Sequence, residues 1–196
     1  MSKQKINVIL IIDQSGSMGF TTVETKQAVT KYIEDQAAIT DAKINLEIVV
    51  FDSAVKTLYS LDKIKNYSNT FADDYKPHGF TALYDAIGTT ITKHKESGLK
   101  TIVTILTDGE ENSSKEYSKS KVAELIKDVQ DNLNWEVIFL AANLPNFDSY
   151  TDSLHIKGAN KVQFADTAGQ RAFSLSAASS MTKSYITPDP ITNTDN

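Results

Sequence analysis

No stretch of this chain limits its possible folds more than the run Ile6-Asn7-Val8-Ile9-Leu10-Ile11-Ile12, closed by Asp13-Gln14-Ser15-Gly16-Ser17. A run so apolar and so rich in β-branched residues, ended by polar turn formers, describes a strand buried on both faces. Strands of that kind belong to parallel sheets covered by helices, and ligand sites in those sheets lie beyond the strands' carboxyl ends. The run therefore predicts that Asp13, Ser15 and Ser17 stand where an α/β protein binds its ligand. All three are hard oxygen donors, suited to Mg²⁺ or Mn²⁺ rather than to a thiophilic metal. Gly16 lets the backbone turn tightly enough for both serines to point the same way. The competing reading is a polar turn whose Asp and Ser cap the next helix.

The rest of the chain repeats the alternation. Thr21-Thr22-Val23-Glu24 has capping-box spacing, and a helix with Val29, Tyr32, Ile33 and Ala37 on its buried face follows. Ile44–Phe51 reads as a second strand, and Asp52-Ser53 as a hairpin turn into an antiparallel edge strand, Val55–Tyr59. The polar stretch Asp62–Lys76 has no period and reads mostly as loop. After Pro77-His78-Gly79-Phe80-Thr81 a helix carries Leu83, Ala86, Ile87, Thr90 and Ile91 on one face. Thr101–Leu106 is another strand, ended by Thr107-Asp108-Gly109. Ser113 with Glu116 forms a second capping-box pattern, ahead of a helix bearing Val122, Leu125, Ile126, Val129 and Leu133. Trp135–Ala141 and Val162–Phe164 complete the strands, and Ala168 to about Tyr185 forms a last helix rich in small residues. The expectation is one α/β domain over residues 1–186, a doubly wound, mostly parallel sheet with helices on both faces. The polar, proline-containing segment 187–196 is expected to be disordered.

Composition narrows the function classes. At 196 residues the chain has room for one sizeable core. It has no cysteine, which excludes disulfides, zinc-thiolate sites and thiol catalysis. No apolar stretch is long enough to span a bilayer, and the short N-terminal run ends in Asp13 without a cleavage site, so no export signal is expected and the cytoplasm is the expected compartment. A net charge of −5 offers no overall footprint for nucleic acid. Lys93, Lys95, Lys100, Lys115, Lys119, Lys121 and Lys127 read as solvated helix faces.

Thr81 and Asp108 join the first motif. Asp108 follows its strand as Asp13 follows Ile6–Ile12, so both carboxylates emerge at the same sheet edge. Thr81 precedes a helix and lies at that edge too. Asp13, Ser15, Ser17, Thr81 and Asp108 thus converge from three loops, which is far less expected by chance than any single loop.

On these residues the chain resembles a von Willebrand factor A domain of the stand-alone type found in bacteria and phages. Asp13-x-Ser15-Gly16-Ser17, Thr81 and Thr107-Asp108-Gly109 match that family's metal-ion-dependent adhesion site, and the similarity runs from about Ile6 to Phe164. The resemblance implies a Rossmann-like sheet binding Mg²⁺ (or Mn²⁺). Ser15, Ser17 and Thr81 would coordinate through hydroxyls, and Asp13 and Asp108 largely through bound waters. It further implies a protein partner whose Asp or Glu completes the coordination; some relatives recognise substrates for AAA+ ATPases or chelatases. Phe80 departs from the pattern, in which a second glycine commonly precedes the threonine. Neutral hydroxyl ligands would leave the metal's charge under-compensated, and nearby helix N-termini favour an incoming anion.

The expected function is therefore a non-enzymatic, metal-dependent protein-binding module. The alternatives are a haloacid-dehalogenase-like phosphohydrolase, from which Ser15 departs by standing where a second acid is needed, and a structural or assembly protein whose site serves stability. His78, His94 and His155 read as a loop histidine, a helix-boundary residue and a histidine with no recognisable partner. Glu110 and Glu111 read as a solvated acidic loop, Asp85 as a helix-dipole residue, and Trp135 as core.

Overall fold

The computed structural model describes residues 3–165 and 167–187. Six strands form one sheet in the order β3-β2-β1-β4-β5-β6. They are β1 (Lys5–Asp13), β2 (Lys43–Phe51), β3 (Val55–Leu61), β4 (Lys100–Thr107), β5 (Glu136–Ala142) and β6 (Lys161–Phe164). All neighbours pair in parallel except β2 and β3, whose antiparallel register shifts between Ile48 and Val49. The single doubly wound, Rossmann-like α/β sheet with an antiparallel edge is the architecture that the sequence pattern implies.

The alternation of side chains along β1 divides the core. Ile6, Val8, Leu10 and Ile12 face α1 (Thr22–Ala37) and α6 (Ala168–Ile186), whereas Ile9 and Ile11 face α3 (Leu83–His94) and α4 (Lys119–Asn132). The stripe expected on α3 is buried, as are Val29, Tyr32 and Ile33 of the α1 stripe, whereas Ala37 is partly buried; Trp135 is core. Small residues on α6 let it lie close to α1. Tyr32 shares hydrogen bonds with Thr182 (2.8 Å) and Thr104 (3.3 Å), and Gln36 Nε2 donates to Ser179 Oγ (2.7 Å).

The stretch Asp62–Lys76 is mostly irregular, as expected, yet it holds a 3₁₀ turn (Ile64–Asn66) and α2 (Phe71–Asp74), and Ile64, Phe71 and Tyr75 are buried. Three local expectations need correction. Neither capping box forms. Thr21 makes no capping bond because a 3₁₀ turn, Gly16–Thr21, runs straight into α1 and leaves its amides no free end. Helix α4 is capped by Ser118, which accepts from the Lys121 amide, and not by Ser113. Leu133 lies past the end of α4 and is partly exposed. The short helix α5 (Phe147–Ser153) was not foreseen. Segment 187–196, apart from Thr187, lies outside the described residues.

Not every lysine is a solvated ornament. Lys100 Nζ donates to the Tyr185 carbonyl, Lys119 stands over the Tyr150 ring, and Lys93 Nζ donates to both oxygens of the buried Glu47 on β2. His94 Nε2 lies 3.1 Å from the same carboxylate. Burial alone would push the Glu47 carboxyl up, but the bonds and charges of His94 and Lys93 outweigh it and hold it below its ordinary value. A folded pKa below the unfolded one stabilises above the unfolded value near 4.5, and that stability fades as pH falls through the folded value. Urea unfolding across this acid range should therefore show a shallower pH dependence for Glu47→Gln than for the parent protein; identical slopes would contradict the assignment.

Candidate functional site

The sheet order reverses between β1 and β4: the chain leaves β1 for β2 on one side and later crosses to β4 on the other. Such a switch point leaves a crevice at the carboxyl ends of the two strands. Asp13 is the last residue of β1, and Thr107-Asp108 closes β4 beside it.

Asp13 is wholly buried. Its Oδ1 accepts from the Ser15 amide (2.7 Å), and its Oδ2 accepts from Thr107 Oγ1 (2.6 Å). Burial pushes the Asp13 carboxyl up to about 6, against the pull of the Thr107 and Ser15 hydrogen bonds. The Asp108 charge adds to the rise. Among the described residues, no Lys, Arg or His forms an ion pair with Asp13.

The serines behave as the tight turn requires. Ser15 Oγ and Ser17 Oγ are 3.0 Å apart, and Ser17 Oγ donates to Asp108 Oδ1 at 2.7 Å, joining the first loop to the third. Ser15 is buried and Ser17 exposed, so the cluster runs from the sheet edge to solvent. Thr81 is buried, and its Oγ1 faces Gly109: a Cβ built there would lie 3.9 Å away. Thr81 is fixed by its backbone, donating to Asn112 Oδ1 (2.8 Å) and accepting from the Asn112 amide (3.0 Å). The five expected oxygen-bearing side chains are thus brought to one edge by three loops. The donors are two carboxylates and three hydroxyls. Among the described residues, no group of three or more His, Cys, Asp or Glu could hold a metal.

A second layer of contacts positions the loops. The Gly16 amide donates to the Gly79 carbonyl (3.1 Å), and the His78 amide to the Gln14 carbonyl (2.8 Å), so the first and second loops are laced together. Gly79 has φ +74°, and a Cβ there would meet Ser53 Oγ at 2.9 Å. Only glycine fits that turn without strain. Because Gly79 supplies it, Phe80 can stand where the family pattern commonly has its second glycine. Ser53 Oγ accepts from the Phe80 amide (3.0 Å), and the Asp52 carbonyl from the Ala82 amide (2.7 Å). The β2–β3 turn therefore holds the residues on either side of Thr81. His78 pairs with Asp52 (3.0 Å) instead of joining the donor set.

Sequence reasoning missed three of these supports. Tyr75 donates its hydroxyl to the Asp13 carbonyl (2.7 Å) while its ring stacks on Phe71. Only the Phe71/Tyr75 spacing of four hinted at a helical turn in that stretch. Glu111 is no solvated acid: it accepts from the amides of Tyr84, Ser113 and Ser114 and from Ser114 Oγ. Asp85 accepts from the amides of Lys115, Glu116 and Tyr117. Together they clamp the Asp108 loop onto the start of α3. Glu110 is exposed, as expected.

Comparison with known proteins agrees with this fold. A sequence model of the von Willebrand factor type A domain matches residues 7–184. No curated protein sequence matches the chain at a significant level. Among solved structures, a mutant of the PilB minor pilin from Streptococcus sanguinis has TM-score 0.72 at 13% identity, over 97% of this chain and 64% of that one. The vWF domain of the type V pili tip protein Mfa5 from Porphyromonas gingivalis has TM-score 0.70 at 9% identity, over 98% and 99%. A von Willebrand factor type A protein from Catenulispora acidiphila has TM-score 0.67 at 18% identity, over 95% and 43%. The chain thus spans less than two thirds of the pilin and of the Catenulispora protein. At these identities the likeness is one of fold.

Proposed function

The chain is a member of the von Willebrand factor type A domain family, and from that premise we propose that it is a metal-dependent protein-binding module, not an enzyme. In this reading Mg²⁺ is held by the hydroxyls of Ser15, Ser17 and Thr81, with Asp13 and Asp108 acting through bound waters. The carrying observation is the cluster itself: Ser17 ties the first loop to Asp108 on the third, and the buried Thr81 hydroxyl of the second loop faces Gly109 with no hydrogen-bond partner among the described residues. The donor set fits a hard divalent cation: every donor is oxygen, and the buried Asp13 anion gains from a nearby positive charge. When bound, the ion supplies a positive centre for a partner's Asp or Glu.

This chain's own residues do the rest. Thr107 and the Ser15 amide orient Asp13, Ser17 ties down Asp108, and Asn112 sets the height of Thr81. The starts of the helical segments after Ser15 and Thr81 add positive potential at the same place. Two large apolar residues on these loops, Phe20 and Phe80, are 95% and 68% exposed. Apolar side chains presented beside a polar site support a protein partner over a small solute. Pilus proteins among the fold neighbours, one of them named as a pilus adhesin, add support of the same kind. Among the described residues, no contact at the site favours the phosphohydrolase alternative.

Capture of the partner should fail in EDTA and return with Mg²⁺. Thr81→Ala should abolish capture while changing the metal-free melting temperature little, because its backbone bonds to Asn112 survive. Phe80→Ser should weaken capture at unchanged Mg²⁺ affinity. Capture that persists in EDTA and in Thr81→Ala would move the interface elsewhere on the domain.

A further inference from the structure

At the far end of β1 and β2 from the candidate metal site, Lys3, Lys5, Lys43, Lys63 and Lys65 rim a groove of about 540 Å³. Lys5 opens β1 and Asp13 closes it, so the groove lies about 26 Å from the metal site at the usual rise of a strand. We propose that this groove binds an acidic segment of a partner protein that carries an aliphatic anchor residue, independently of the metal.

Charge complementarity carries the argument. The chain as a whole is at −5, yet five of its 20 Lys and Arg meet here, with Asp62 as the acidic residue of the lining. Among the described residues, none of the five lysines forms an ion pair. Lys5 and Lys43 stand directly opposite each other on neighbouring strands. Five lysines without ion-pair partners around one groove raise its local positive potential, which favours an arriving anion.

The floor decides which anion. Ile39, Ile44 and Ile64 form it, each less than a tenth exposed. It is recessed, so a protruding side chain can reach it and a flat bilayer surface cannot. Among the described residues, the lining has no aromatic residue on which a base could stack and no arginine fork for a phosphate. The volume lies within the range of about 300–1,000 Å³ usual for ligand clefts. A short acidic stretch with Ile or Leu pointing inward satisfies both rim and floor.

The test uses fluorescence anisotropy of a fluorescein-labelled peptide, Glu-Asp-Ile-Leu-Asp-Glu, at low salt and in EDTA, where the metal site is silent. Saturable binding is expected. It should weaken at least about tenfold with the amide peptide Gln-Asn-Ile-Leu-Asn-Gln, with a peptide whose Ile-Leu is Ser-Ser, and with the Lys5→Glu, Lys43→Glu, Lys63→Glu protein. These lysines are exposed, so the variant should keep its melting temperature; should it unfold, Lys43→Gln with Lys63→Gln is expected to show the same loss in smaller degree. Absence of saturable binding, equal binding by the lysine variants, or preference for phosphatidylserine vesicles over the peptide would overturn the proposal. Failure here leaves the metal-site reading untouched, because that reading is tested in Mg²⁺.

Discussion

A protein carrying Gly88→Val is expected to lose about 3 kcal/mol of stability, near the upper end of what overpacking usually costs. Gly88 sits inside α3, where glycine itself costs about 1 kcal/mol relative to alanine. The chain bears that cost because nothing larger fits: a Cβ there would lie 2.2 Å from Tyr117 Cδ1 and 2.3 Å from Cγ. The Tyr117 ring cannot simply swing aside. Its amide is held by Asp85 (2.8 Å) and its hydroxyl donates to Thr92 (3.2 Å), so displacing it also loosens the clamp on the Asp108 loop. For a domain of this size the loss corresponds to roughly 6–12 °C in melting temperature. Calorimetry should show that drop, and Tyr117→Ala in the same chain should recover part of it, since the two residues are in contact. A change within about 0.5 kcal/mol would mean that the ring does not pack there.

The second large effect expected is the response to Mg²⁺. A ligand that binds only the folded state adds RT ln(1 + [L]/Kd), about 2.7 kcal/mol at a hundredfold excess over Kd. The melting temperature should then rise by roughly 5–10 °C. The informative comparison is Ser15→Ala with Thr81→Ala. These substitutions remove two hydroxyl donors but leave the Ser15 amide on Asp13 and the Thr81 backbone on Asn112. Asp13→Ala is a poorer control, because it removes the acceptor of both the Ser15 amide and the Thr107 hydroxyl and so disturbs the loop itself. The double variant should melt near the metal-free parent temperature, with or without Mg²⁺. Equal shifts in both proteins would show that the ion stabilises through some other place.

What the sequence made legible follows the strength of its periodicity. The β1 and β4 runs are so continuously apolar that their ends, and hence the positions of Asp13 and Asp108, could be read to within a residue. Thr81 lies in the loop ahead of α3, where the Gly79 turn before an amphipathic helix predicts it. The supports were harder. Tyr75 lies in a stretch too short for a helical period to show, yet it packs on Phe71 and holds the carbonyl of Asp13. Glu111 reads as a solvated acid and Asp85 as a helix-dipole residue because their partners are backbone amides of a loop, and amides leave no trace in side-chain patterning. Ser113 and Glu116 matched a capping box whose helix in fact starts later, after Ser118. Local spacing could not reveal that Asp85 had already taken the amides of Lys115, Glu116 and Tyr117.

The most direct test of the central idea, that oxygens from three loops gather to hold a divalent cation, is anomalous diffraction from crystals grown with Mn²⁺. The account predicts one anomalous peak among the hydroxyls of Ser15, Ser17 and Thr81, flanked by Asp13 and Asp108, and none there in crystals of Thr81→Ala with Ser15→Ala. Well-defined side chains at those positions with no peak between them, or Mn²⁺ bound only at surface carboxylates elsewhere, would contradict it.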